Sequence, residues 1–366
     1  LLVRVTADGH VGWGEAEASP LTSIASWIAP MSHSACHPVI DSVLGEQLNS
    51  PEDIFAITRK VRANSFYAII QSDLTLSGIE IALWDLLGQV KEEPIYKLLG
   101  YKEATRKLPY ASVLFGDTVE ETLKKATDIR KVGFSAIKFG WGHFGRGSVQ
   151  DDADHIHAAR EGIGADAHLM IDAGTIFHED VEAAAARLQA LSDANVLWYE
   201  EPFDAAALAS YGELSKRTPK VKLAGGEGAH NPYQAEHLID HGGVGFVQID
   251  TGYIGGIGDA YRVAQYAKAR GVQFVNHTFT SHSALSASLQ PFAGLKDSWI
   301  TEYPMEPKSL CVELTVDKIE VESDGMITIP DRPGIGLEIN LAAVKKYLVE
   351  TEIKVGGKVL YTTPTV

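Results

Sequence analysis

Cysteine is scarce in this chain. Its 366 residues include only Cys36 and Cys311, too few for a disulfide framework and in keeping with a reducing, cytoplasmic setting. Long apolar runs are missing as well. None approaches the ~18 residues a membrane-crossing helix needs, and the opening residues show no signal-peptide pattern. Positive charge is in short supply: 32 Lys and Arg against 48 Asp and Glu leave a net charge of −16. Such a chain lacks the basic footprint that holds nucleic acid or an anionic membrane. There is no low-complexity segment, no long linker and no repeat beyond a βα rhythm. A dinucleotide-binding fingerprint is also absent, because Gly140-Trp141-Gly142 has no acid in the context that would complete it. What remains is an ordinary globular composition, 45% hydrophobic and 22% charged, able to bury one large core and a smaller one.

Residues 1–106 read as an α+β segment. Alternation over Leu2–Thr6, a turn at Asp8-Gly9 and alternation over Val11–Glu15 describe a hairpin. The first of these strands reads as entered partway, so a preceding stretch is expected. Ser50-Pro51-Glu52-Asp53 is a helix start, with Ser as N-cap, Pro at N1 and acids in the first turn. The run at 79–87 is apolar enough to be a buried helix, Trp84 and Asp85 included. From 107 to 306 short apolar runs alternate with amphipathic ones. Strands are predicted at 108–114, 136–139, 168–171, 196–199, 221–224, 245–249, 272–276 and 298–301. Helices are predicted at 119–131, 151–161, 181–192, 233–240 and 259–270. Eight strands in this alternation favour a closed parallel barrel over an open doubly wound sheet. Residues 307–366, with a helix near 341–350, form a tail expected to return to the first segment.

Seven of the eight predicted strands carry a polar residue at or just beyond their end: Lys138, Asp172, Glu200, Glu227, Asp250, His277 and Glu302 in turn. In a parallel barrel these emerge together at the C-terminal mouth, where barrel active sites lie. Three converging carboxylates, Asp172, Glu200 and Glu227, would repel one another, and a divalent cation removes that conflict. All-oxygen ligation suits Mg²⁺, whereas Zn²⁺ would recruit His or Cys. Glu200 and Glu201 compete for one slot, since adjacent strand side chains point to opposite faces. Asp250 beside His277 would fix the tautomer of the imidazole and raise its basicity, making a general acid/base. His282 is a weaker competitor. Glu302 is placed to donate to a substrate oxygen. Lys138 beside a metal would be pushed toward its neutral form, to act as a base or bind a carboxylate. The glycine-rich stretch after it offers Trp141, His143 and Arg146 as substrate contacts, or simply as packing.

These residues resemble the enolase superfamily, mandelate racemase subgroup, over nearly the whole chain. The resemblance is carried by Gly12-Trp13-Gly14-Glu15, the run from Ser77 to Asp85, Glu200-Glu201-Pro202, Gly226-Glu227, Asp250 with His277, and the run from Ile327 to Leu337. It implies a modified TIM barrel, (β/α)₇β, under an α+β cap built from both terminal segments. It implies Mg²⁺ on Asp172, Glu200 and Glu227, an Asp250–His277 dyad, Glu302 as electrophile, and abstraction of the proton α to a carboxylate to give a metal-stabilised enediolate. Two positions depart from the pattern. Racemases of the subgroup carry a lysine-any-lysine pair, whereas this chain has Lys138-Phe139-Gly140. Asp172-Ala173-Gly174 also lacks an Asn often found two residues after the first ligand. The loss of one base disfavours racemisation and favours β-elimination of water from an aldonic or aldaric acid, giving a 2-keto-3-deoxy acid. The alternatives are an epimerase or racemase, a sugar-lactone cycloisomerase, and a barrel that binds without catalysis. The expected partner is a small sugar-acid carboxylate, and a homo-oligomer is expected.

Overall fold

A computed structural model describes residues 1–34, 36–66 and 74–366. Strands β1 (Leu2–Ala7) and β2 (His10–Glu15) pair as the expected antiparallel hairpin. They lie against a long helix, Leu74–Lys91, whose residues from Thr75 to Gly88 are all buried. That helix extends beyond the run expected from sequence because its apolar pattern continues on both sides. The Gly-Trp-Gly pattern of β2 has a steric cause. A Cβ on Gly14 would come within 2.0 Å of Gly78 O, and one on Gly12 within 2.2 Å of Ala82 O. The strand therefore packs directly on helix backbone, which only glycine permits. Gly14→Ala is expected to destabilise the protein by about 3 kcal/mol, read as a lower urea midpoint at unchanged slope.

The helix Pro51–Asn64 begins as its sequence signals, with the Asp53 carboxylate accepting the Ser50 N–H at 3.0 Å. The tail returns to this layer. Asp85 accepts N–H bonds from Trp13 at 2.7 Å and from Ile335 at 2.9 Å, which accounts for a buried acid in an apolar helix. A terminal hairpin, β11 (Glu352–Val355) with β12 (Lys358–Thr362), was not anticipated.

Eight parallel strands form the second unit: β3 (Leu108–Leu114), β4 (Ala136–Gly140), β5 (His168–Asp172), β6 (Val196–Glu200), β7 (Lys222–Gly225), β8 (Phe246–Asp250), β9 (Gln273–His277) and β10 (Ile300–Pro304). Ladders run in the order β10-β3-β4-β5-β6-β7-β8-β9. Between β9 and β10 side chains complete the ring. Asn276 Oδ1 accepts from Glu302 N–H at 2.9 Å and also from the Thr301 hydroxyl, and Phe274 N–H donates to Ser298 Oγ at 3.2 Å. The architecture is a parallel TIM-type barrel with an α+β capping layer.

Tyr110, Met170, Trp198, Phe246, Val275 and Ile300 fill the barrel interior, as the inward half of each strand requires. One predicted element is corrected. The helix expected at 181–192 is two, Val181–Ala185 and Leu188–Asp193. Arg187 interrupts it, its buried guanidinium drawn to Asp152 Oδ2 at 2.9 Å. Among the described residues, no helix is long and apolar enough to cross a membrane.

Candidate active site

Register decides what meets at the mouth. Gly140, Asp172 and Glu200 are paired across β4, β5 and β6, and Asp250 is paired with His277 across β8 and β9. Parallel strands in register turn equivalent side chains to one face, so Asp172 and Glu200 enter the barrel side by side. The ambiguity at the Glu pair resolves at this point. Glu200 points inward, where its Oε2 accepts the Trp198 indole N–H at 2.8 Å. Glu201 has a left-handed backbone, φ 34°, and turns the other way to accept Gly226 N–H at 3.1 Å.

Lys138 stands at the centre of one half of the site. Its ammonium pairs with Glu200 and lies 3.4 Å from Asp172 Oδ2 and 3.2 Å from Glu302 Oε1. Burial opposes a charge there, but Glu200, Glu302 and Asp172 outweigh it and hold Lys138 well above the usual lysine range. The expected drift of Lys138 toward neutrality is therefore absent from the polypeptide alone. Glu302 takes Thr278 N–H on Oε2 at 2.6 Å. Burial favours its neutral form, yet Lys138 and His277 together bring it below the usual carboxylate range.

His277 holds the other half. Its Nδ1 faces Asp250 Oδ2 at 2.8 Å, the N–H donating to the carboxylate, and its Nε2 lies 3.4 Å from Glu227 Oε2. Gly252 N–H fixes the second Asp250 oxygen at 2.6 Å. Burial works against protonation of the imidazole, but Glu227, Glu302 and Asp250 prevail and raise His277 well above its usual value. His282 is engaged elsewhere, accepting Ile319 N–H at 3.2 Å.

The substrate candidates on the β4 loop fare unequally. Trp141 is 52% exposed and its ring covers Gly174, where a Cβ would meet it at 2.8 Å. It thus borders the Asp172 turn. His143 stacks instead on His155 with ring centroids 5.0 Å apart, and Arg146 Nε donates to Gly142 O at 3.0 Å. Among the contacts of the described residues, neither reaches the carboxylates. Where the Asn often found two residues after the first ligand is absent, Gly174 N–H donates to Asp172 Oδ1 at 2.8 Å. Sequence reading missed three participants: Trp198, Glu15 and Glu17. Glu15 of the cap accepts the Ser281 hydroxyl beyond β9, and Glu17 accepts the Tyr253 hydroxyl at 3.0 Å.

Five carboxylates thus share two basic side chains. Burial drives Glu200 far above the ordinary range, with Asp172, Glu227 and Glu302 adding to the rise against Lys138. Burial likewise raises Glu227, against His277, with Asp172 adding to the rise. Among the described residues no three ligand-type side chains already stand at metal-binding spacing, because Lys138 and His277 draw the acids to themselves. The donor set nevertheless fits a hard divalent cation: oxygen ligands only, buried, and carrying repulsion that such an ion relieves.

Cap, closed parallel barrel and strand-end acids define a class, that of barrel enzymes whose chemistry sits under a two-segment lid. Residues 1–100 match the family described as "Mandelate racemase / muconate lactonizing enzyme, N-terminal domain", and residues 121–343 match "Enolase C-terminal domain-like". The chain belongs to the enolase superfamily, mandelate racemase subgroup. It is 29% identical to the D-galactarolactone cycloisomerase of Agrobacterium fabrum, covering 95% of this chain and 90% of that one. It is 30% identical to the D-galactonate dehydratase of Xanthomonas euvesicatoria, covering 94% and 90%. The crystal structure of a "predicted Mandelate racemase" from Rhodobacter sphaeroides is 56% identical, with TM-score 0.96, over 100% of this chain and 93% of that one. The relatives of this chain include sugar-acid dehydratases and a lactone cycloisomerase, and the chain is an enzyme of that general reaction type.

Proposed function

We propose that this enzyme is a Mg²⁺-dependent dehydratase of an aldonic or aldaric acid. The observation that carries the reading is a mouth with one base. His277 presents Nε2 with its tautomer set by Asp250, Lys138 is engaged by three carboxylates, and the second subgroup base is replaced by Gly140. A side chain at 140 has no room, since its Cβ would lie 2.9 Å from Asp172 Cβ. Racemisation asks for bases on both faces of the carbon. Elimination asks for one group that first takes a proton and then gives it up.

In this reading Asp172, Glu200 and Glu227 would hold the ion, which supplies the positive charge that makes the α-proton acidic enough to remove. With Glu227 engaged in holding the ion instead of pairing with the imidazole, His277 Nε2 would be free to take that proton, and as imidazolium would return it to the β-hydroxyl as the C–O bond breaks. Water leaves, and the resulting enol tautomerises to the 2-keto-3-deoxy acid. Lys138 orients a substrate carboxylate oxygen. Trp198 fixes Glu200 from below, so Trp198→Phe is expected to weaken Mg²⁺ binding about tenfold without unfolding the barrel, as measured by calorimetry.

The likeness to D-galactarolactone cycloisomerase favours one second reading. There the same proton abstraction would serve, with a ring oxygen leaving the β-carbon in place of water. The test is a library of aldonic and aldaric acids and their lactones, incubated with enzyme and Mg²⁺ and assayed for keto acid as the semicarbazone. Release from one or a few open-chain acids is expected. Turnover confined to lactones selects the second reading, and no turnover of any member contradicts both.

A further inference from the structure

The hairpin of β11 and β12 forms an arm. From Lys345 to Val366 no residue is buried. The two strands pair with each other, and among the described residues no third strand joins them. Thr363 N–H donates to Thr351 O at 2.9 Å and Thr351 N–H donates to Thr363 Oγ1 at 2.8 Å, closing the base of the arm. A two-stranded hairpin is marginally stable alone in water and needs more strands or a surface beneath its apolar face. This hairpin has such a face. Ile353 and Val355 alternate with Glu352 and Lys354 along β11, and Tyr361 stands opposite Ile353. Val355 is 54% exposed, and Val349 at the root of the arm is 74% exposed.

The two open edges differ. Register shifts between Ile353 and Lys354, leaving Leu360 as an extra residue on β12. A bulge of this kind spoils β12 as a template for another strand, while β11 keeps a regular edge. The charges along β11 are self-complementary. They form an ion pair within one copy, Lys354 with Glu352. When two copies of β11 run antiparallel about a two-fold axis at Ile353, Glu352 stands opposite the partner's Lys354, and Lys354 opposite the partner's Glu352. Residues 341–366 also carry four lysines against two glutamates on a chain of net charge −16, so repulsion between two acidic copies is relieved at this segment. We infer that β11 pairs with β11 of a second copy of this chain. The two arms then make one four-stranded sheet, with Ile353, Val355 and Tyr361 of both copies on a single face. The inference does not rest on the dehydratase reading.

Sedimentation equilibrium of the full chain at micromolar concentration tests the pairing. Association of the native chain in pairs is expected. Lys354→Glu and Glu352→Lys each set like charges opposite one another and should weaken that association at least about tenfold. They change the net charge in opposite directions, so a bulk charge effect would not weaken both. The double variant, Glu352→Lys with Lys354→Glu, restores the complementarity and should restore association. An equal mixture of the two single variants should do the same, because one arm then offers two acids and the other two lysines. An arm that lay on the partner's barrel instead would not be rescued in this way. A monomeric native chain, a single variant that associates like the native chain, or failure of the double variant or of the mixture to regain association would each overturn the assignment. Turnover is read in none of these measurements, so they stand or fall apart from the proposed reaction.

Discussion

His277→Asn is expected to lower turnover of the sugar acid by about 10²–10⁴-fold, the range a positioned general base contributes. The loss should fall on kcat, with the thermal midpoint little changed. Asn is smaller than His and polar, and its amide can still donate toward Asp250. The imidazole makes two close polar contacts, with Asp250 and Glu227, so removing it takes out the proton carrier without opening the apolar core. Residual activity above about a tenth of native would place the base elsewhere, with Lys138 the next candidate.

Glu200→Gln is expected to be as damaging by a different route. This carboxylate is fully buried, pairs with Lys138 and is held by Trp198. Gln retains the shape and an acceptor for the indole, but lacks the charge. Mg²⁺ affinity should fall by about 10²-fold or more, read by calorimetry with no substrate present. The native protein should also gain thermal stability with added Mg²⁺, about 2.7 kcal/mol at a hundred times Kd, and the variant should gain little at the same concentration. Equal Mg²⁺ stabilisation of both proteins would remove Glu200 from the ligand set.

The barrel was legible because its strands are short apolar runs at a βα period, and seven of the eight carry a reactive residue at or just beyond their end. The pairing of Asp172 with Glu200, and of Asp250 with His277, follows from that phase once strands are in register. Contacts between distant residues were not legible. The break at Arg187 depends on Asp152, a helix away. Lys107 is fully buried, donating to Phe292 O, Leu295 O and Ser298 O at 2.8–3.1 Å, and nothing beside it in sequence announces those acceptors. Closure of the ring through Asn276 is likewise a tertiary event. In the mouth loop, the contacts that His143 makes with His155 and Arg146 with Gly142 O depend on how the loop folds. Trp198 was passed over because an indole in a strand reads as core, which it is, while its N–H serves the site.

Proton nuclear magnetic resonance in D₂O, with Mg²⁺-loaded enzyme and the sugar acid it accepts, tests the one-base elimination most directly. The account predicts keto acid bearing deuterium at C3, delivered when the enol tautomerises, and recovered substrate with its original configuration at C2. Deuterated C2 epimer without keto acid would contradict it, because that outcome requires a second base where Gly140 stands.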